Sequence, residues 1–348
     1  MSQDTRVRSF AAAPDRRMVF LFLLAGCGLV LLLLNLAGSN KSLVLIENAQ
    51  PMFVLLVLAA QALRYAGSTG STLVLAEMFG QHLPFTPLYE TMLAGQALNR
   101  TFSVGGAAGM FVRYSFLTRQ QVHSGAVAAL FVVEDVLGMV TIVLVFAAGL
   151  AAVLVTAALP QFAWILIPGF AAGAVLAALA ALALYRRRRV IERGVHALGR
   201  IIGAVVVRLT GKAIYEPAHV QRAVDEFYAG MTHARREPRR VAAAFLYNLM
   251  RLGFDAASLY FAFCAIGPAI APGILLVVFT GSSALSTLSG VPGEMGVMEA
   301  SLAILSTSLG IAPAAAVSAI VLYRGLSYWL PIPLGYLACW HLQRGGFI

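Results

Sequence analysis

Charge is scarce in this sequence. Asp, Glu, Lys and Arg make up 11% of its 348 residues against 60% hydrophobic ones, and the mean hydropathy is +0.83. That is too little polar surface to cover a soluble globule of this size, so lipid must serve as part of its solvent. Cysteine is nearly missing as well. Cys27, Cys264 and Cys339 stand in apolar stretches at no metal or disulfide spacing, which excludes a disulfide framework and leaves them as small packing residues. The six histidines are dispersed, and the phosphate-binding loop, HExxH and GxSxG patterns are all missing. No catalytic residue, metal or cofactor is therefore expected. The short alternating segments of a transmembrane β-barrel are also lacking.

What is present are long runs free of charge. Residues 18–37 and 161–184 reach the ~20 residues that a helix needs to cross a hydrocarbon core of ~30 Å. The expected fold is an all-α polytopic membrane protein with about six full crossings and two re-entrant or broken helical hairpins, about eight apolar segments in all. Arg6, Arg8, Arg16 and Arg17 precede the first run as in a signal peptide, but no convincing cleavage site follows, so a retained anchor is expected. Of the 25 basic residues, 13 lie between Arg186 and Arg240. In a soluble protein that balance would suggest nucleic acid. Here the positive-inside rule explains it, placing the N-terminus and this loop in the cytoplasm. Arginine outnumbers lysine 23 to 2, the usage of a GC-rich bacterial genome, and a bacterial inner membrane is the expected location.

Starting inside, 18–37 goes out, 51–75 returns, 126–155 goes out and 161–184 comes back to the basic loop. Residues 84–112 then cannot be one more crossing. They contain Pro84, Pro87, Asn99, Arg100, Gly105 and Gly106, with Arg113 and Arg119 beyond, and read as a re-entrant hairpin. After the loop, 241–266 goes out and 323–340 lies in the last apolar segment. Between them, 274–289 and 295–309 flank "GVPGE" and are either two crossings or a second hairpin. Both alternatives leave the C-terminus inside. The chain thus divides into a tail (1–17), a first membrane half (18–184) with its hairpin at 84–112, a basic cytoplasmic loop (185–240), a second membrane half (241–341) broken at 290–293, and a tail (342–348). Within the loop Val195, Leu198, Ile202, Val205 and Leu209 recur at helical spacing, suiting either a helix on anionic headgroups or a cap on the helix ends.

Two glycine-broken stretches, "ALNRTFSVGGAAGM" from Ala97 and "ALSTLSGVPGEMGV" from Ala284, lie 187 residues apart. Sliding 51–109 by that offset gives 11 identities in 59 positions, pairing Pro51 with Pro238, Arg64 with Arg251 and Gly106 with Gly293, and setting Gln61 against Asn248. Three crossings separate the arginines, so the halves are related by inversion, the plan of many secondary transporters with a site near the midplane.

Charges inside spans are expensive and mark function by default. They are Arg64, Glu134, Asp135, Arg251, Asp255 and Arg324, with Glu294 and Glu299 beside the second break; Asn248 shares a face with Arg251 and Asp255. At Gly105/Gly106 and Pro292/Gly293 the chain interrupts a helix, and each following half-helix would offer free N–H groups and a positive dipole end to an anion such as a phosphate. Close packing through the Gly105/Gly109 pair is the other use of those glycines.

These residues resemble the flippase-like transmembrane region of the lysylphosphatidylglycerol synthases. "NRTFSVGGAAGMFVRYSFLTRQQVHSGAVAALFVVED" is similar to that family's first break and acidic helix, placing Asn99, Gly105, Gly106, Glu134 and Asp135 in family positions. "VPGEMGVMEASLAIL" and "VLYRGLSYWLP" resemble its second signature, with Pro292, Gly293, Gly296, Glu299 and Arg324 in the marked positions. Ser103 stands where proline is usual, Glu294 replaces a glycine, and Asp135 replaces a frequent Arg. The resemblance implies movement of a lipid or lipid-linked anionic headgroup between leaflets, with membrane lipids as partners and anionic headgroups at the basic loop. With the sequence ending at Ile348, aminoacylation of lipid is not expected. A scaffold that regulates a lipid-modifying enzyme, and an exporter of a small soluble solute, are the alternatives.

Overall fold

The computed structural model describes residues 44–101, 106–156, 217–267, 270–289, 291 and 294–348, with residues 190, 192–193 and 197. The expected crossings at 18–37 and 161–184, the amphipathic 195–209 segment save residue 197, and Gly105, Pro292 and Gly293 lie outside the described residues.

Every regular element among the described residues is helical. In chain order these are α1 (Pro51–Glu77), α2 (Phe85–Thr101), α3 (Ala107–Arg119), α4 (Ser124–Thr156), α5 (Pro217–Arg236), α6 (Pro238–Ile266), α7 (Pro272–Ser289), α8 (Val297–Ser308), α9 (Pro313–Arg324) and α10 (Pro331–Arg344), the last two joined by a π-turn at Gly325–Trp329. Proline opens six of them, a position where its fixed φ suits the helix and its missing N–H costs nothing. Five are long and apolar enough to cross a membrane, taking α9, the π-turn and α10 as one 32-residue element.

The 187-residue offset governs the architecture. Helices α1, α2, α3 and α4 have 27, 17, 13 and 33 residues; α6, α7 and α8 have 29, 18 and 12, and the final element 32. Pro238 follows Pro51, and Pro272 follows Phe85, by that same offset. The halves are inverted. The Gln50 N–H donates to the Ala265 carbonyl (3.0 Å), while Arg240 Nη1 donates to the Glu77 carbonyl (2.7 Å), so α1 and α6 run antiparallel over their whole length.

The helices α2 and α3, and likewise α7 and α8, form hairpins. At 1.5 Å per residue α3 is about 20 Å long and α8 about 18 Å, well short of a ~30 Å core, so neither can cross alone. Residues 272–308 are thus one long and one short helix packed on each other, of the same build as the first hairpin. Each long hairpin arm packs on the last described membrane helix of the other half. A Cβ on Gly149 in α4 would lie 2.7 Å from Leu276 Cβ in α7, and Gly335 in α10 abuts the Leu93 carbonyl and Ala97 of α2. A larger core gathers around Phe263, Leu259, Val278 and Leu302, and a second around Phe116, Leu88 and Leu117.

The described part of the basic loop, α5, is docked on the helix ends. Glu226 accepts the Gly125 N–H (2.9 Å), Phe79 stacks on His233 at 6.2 Å between centroids, and Val224 is buried.

Candidate functional site

The two central helices meet through small residues. A Cβ on Gly67 would sit 2.9 Å from the Arg251 backbone nitrogen, so α1 and α6 touch backbone to backbone at their midpoints. Polar side chains are therefore forced together there, and they obey the repeat. Gln61 Nε2 donates to Ser258 Oγ (2.7 Å), and Asn248 Nδ2 donates to Ser71 Oγ (2.9 Å). These are one hydrogen bond seen twice, since Gln61 corresponds to Asn248 and Ser71 to Ser258. Arg64 Nη1 donates to Gln61 Oε1 (3.3 Å) as Arg251 Nε donates to Asn248 Oδ1 (3.4 Å). One element has no counterpart. Asp255 takes Arg64 as its ion-pair partner (2.9 Å) and also accepts from Gln61 Nε2 and the Tyr323 hydroxyl, each at 3.0 Å. The residue 187 positions before it is Ser68.

The described residues that follow each hairpin break are held from within. Gly106 precedes α3 with φ +84°, and the Asn99 side chain, from the last turn of α2, accepts the Gly109 N–H (2.6 Å). At the second break Glu299 accepts the Gly296 N–H (2.8 Å). The expected rows of free N–H groups are thus partly occupied, and α8 carries a carboxylate at its positive end. Each short arm is also tied to the following helix by an ion pair whose polarity is exchanged between halves: Arg113 of α3 holds Glu134 of α4, whereas Glu299 of α8 holds Arg324 of α9 (2.6 Å). Thr72 of α1 donates to Glu134 (2.8 Å).

Between the hairpins lies a cavity of about 700 Å³. Its wall carries Arg64, Arg100, Arg113, Arg251 and Arg324. Three of these have carboxylate partners; among the described residues Arg100 and Arg251 have none within ion-pair distance. Arg100 donates instead to the Tyr328 carbonyl (2.6 Å), and both Arg100 and Arg324 lie over the Tyr328 ring, at 4.6 and 4.2 Å from its centroid. Several buried groups of the wall lack a hydrogen-bond partner among the described residues: the Tyr65 and Tyr328 hydroxyls, Ser286 Oγ and Arg324 Nη2. The arrangement is a polar pocket with excess positive charge, suited to hold an anion.

Of the residues expected from sequence, Arg64, Asn99, Gly106, Arg251, Asp255, Glu294 and Arg324 line this cavity. Glu134, Asn248 and Glu299 stand behind it and hold lining residues. Asp135 does not join them: it is exposed on α4 and outside the lining. Neighbouring residues on a helix point about 100° apart, so Glu134 facing inward turns Asp135 away. Arg100, Arg113, Tyr65, Tyr323 and Tyr328 were not among the expected site residues. Arg113 in particular was expected as a flanking charge beyond the hairpin, but α3 runs on to Arg119 and carries Arg113 into the cavity. Its Glu134 partner, fixed only by the fold, was the missing signal. Arg100 stands next to Asn99 in the last turn of α2, ahead of the break, and was legible there.

Residues 19–335 match the family described as the lysylphosphatidylglycerol synthase TM region. The chain belongs to that family. Within the lysylphosphatidylglycerol synthase TM family it is similar to UPF0104 membrane proteins of three archaea. With that of Methanocaldococcus jannaschii it is 22% identical over 329 residues, 93% of each chain, and with that of Methanothermobacter thermautotrophicus 23% over 308 residues, 84% of this chain and 86% of the other. With that of Pyrococcus horikoshii it is 31% identical over 112 residues, about a third of either chain. The resemblance drawn from sequence sets Glu294 where a glycine is expected. That residue has φ +59°, a conformation glycine adopts freely and other residues do not.

Proposed function

We propose that this protein moves an anionic lipid, or a lipid-linked anionic headgroup, between the leaflets of the bacterial inner membrane, holding the headgroup in the cavity between its two hairpins. The observation that carries the reading is the pair of cavity arginines, Arg100 and Arg251, without a carboxylate partner among the described residues. A charge inside a membrane span is costly unless neutralised, so this arrangement favours a ligand that brings the missing negative charge. The Tyr65, Tyr328 and Ser286 hydroxyls and Arg324 Nη2, without partners among the described residues, add donors for phosphate oxygens. Family membership supports a lipid as the bearer of that phosphate. The inverted halves supply two access states of similar energy, as moving a headgroup between leaflets requires. The basic loop suits attraction to anionic headgroups of the cytoplasmic leaflet, with both termini on that side. No chemical step on the lipid belongs to this reading.

The test is transport in reconstituted vesicles. Fluorescent analogues of phosphatidylglycerol, phosphatidic acid and phosphatidylcholine are followed by dithionite bleaching of the outer leaflet. Protein-dependent movement of an anionic analogue, reduced at least about tenfold in Arg100→Ala and Arg251→Ala, is expected. Movement of no analogue, or full activity in both variants, would refute the proposal.

A further inference from the structure

On α1 and α6 the polar side chains of the central cluster match except at one position. Gln61 and Asn248, Arg64 and Arg251, and Ser71 and Ser258 are equivalent residues making equivalent contacts, yet the Asp255 position in one half is Ser68 in the other. Two repeat-related arginines therefore share a single carboxylate.

Asp255 is placed to serve either of them. It pairs now with Arg64 across the α1/α6 contact at 2.9 Å. It also stands four residues after Arg251 on α6, the spacing at which side chains on one helix face meet. Among the described residues, Arg64–Asp255 is the one arginine–carboxylate pair joining the two halves. The pairs Arg113–Glu134 and Arg324–Glu299 each lie within one half and move with it. A rearrangement of one half against the other would therefore alter the Arg64–Asp255 pair, whereas the other two arginine–carboxylate pairs lie inside one half.

We propose that Asp255 is an exchanging counter-ion: it neutralises Arg64 in the state seen here and Arg251 in the state with opposite access, so that the arginine left free holds the anion. In this structure the free partner is Arg251, whose side chain among the described residues donates to Asn248 Oδ1 at 3.4 Å. After exchange the free partner is Arg64, its equivalent across the pseudo-two-fold. The anion then passes between two equivalent guanidinium groups near the centre of the fold, and never meets both while they are neutralised. Each state then contains one arginine–carboxylate pair and one arginine–ligand pair, so the exchange leaves no buried arginine uncompensated in either. This mechanism rests on the functional reading above, in that a bound anion replaces the carboxylate on the free arginine.

The experiment uses the full chain with its cysteines replaced and one reporter cysteine at Gln96 or Ser283. These positions are 187 residues apart and both line the cavity, one on each hairpin. An impermeant maleimide, applied to cells and to inverted membrane vesicles, gives a labelling ratio for the two reporters. Moving the carboxylate to the equivalent place, in Ser68→Asp/Asp255→Ser, is expected to reverse the preference by at least about fivefold. Asp255→Asn keeps the size of the side chain and an acceptor for Gln61 and Tyr323, so it safeguards against a double variant that does not fold. It is expected to bring the ratio towards unity and to slow movement of fluorescent phosphatidylglycerol. A ratio unchanged from wild type in either variant overturns the exchange. Wild-type protein that moves no lipid, with a ratio that still reverses, would refute the functional proposal and uphold the exchange.

Discussion

Replacing Glu299 by leucine tests the second hairpin more severely than any other single change. Its carboxylate does two jobs, holding Arg324 at 2.6 Å and accepting the Gly296 N–H at 2.8 Å, and the two ion-paired side chains are only 6% and 9% exposed. Removing one partner of a buried pair leaves the other charge uncompensated, at about 3–5 kcal/mol. The lost N-terminal bond adds about 1 kcal/mol. Because Arg324 borders a polar cavity that water can enter, the lower end of that range applies, and the apparent melting temperature in detergent should fall by roughly 5–10 °C. Two companions separate the contributions. Glu299→Gln keeps an acceptor for Gly296 but removes the charge, and should fall in between. Glu299→Leu/Arg324→Met removes both charges and should recover most of the loss, because well-packed apolar side chains replace such a pair at little cost. Fluorimetric unfolding of the purified variants reads all three. A single variant within a degree of wild type, or a double variant less stable than Glu299→Leu alone, would refute this account of the pair.

Other changes probe the fold more locally. Gly67→Leu should separate α1 from α6 and cost about 2–3 kcal/mol in the same assay, whereas Gly253→Ala, whose added Cβ would meet nothing within 4 Å, should stay within about 0.5 kcal/mol of wild type. Glu294→Gly removes the cost of a left-handed φ on a non-glycine residue and should stabilise by about 1 kcal/mol; a lower melting temperature would contradict that. Asn99→Ala deletes the bond to the Gly109 N–H and should cost about 1 kcal/mol, with Asn99→Asp, which keeps an acceptor, retaining most of the stability.

Much of the fold was legible because repetition leaves a trace in sequence. The offset that aligned Arg64 with Arg251 also placed Pro238 and Pro272 at helix starts, and it set Gln61 against Asn248 before their hydrogen bonds were visible. The pairings were not legible. Arg113 finds Glu134 21 residues away, and Arg100 finds the Tyr328 carbonyl 228 residues away. No periodicity reports which faces will meet. Tyr328 lies in a π-turn, a local departure from helical geometry that amphipathic pattern does not encode. The breaks were read as open anion sites because glycine and proline announce where a helix stops. They say nothing of Asn99 and Glu299 folding back to satisfy the N–H groups so exposed.

The central claim is that the cavity holds an anion on arginines left without carboxylates, and native mass spectrometry of the protein in nanodiscs of mixed phosphatidylglycerol and phosphatidylcholine tests it most directly. Preferential retention of phosphatidylglycerol, lost in Arg100→Ala/Arg251→Ala while the purified variant remains folded, is the predicted result. Equal retention of both lipids by wild type, or undiminished retention of phosphatidylglycerol by the double variant, would contradict it.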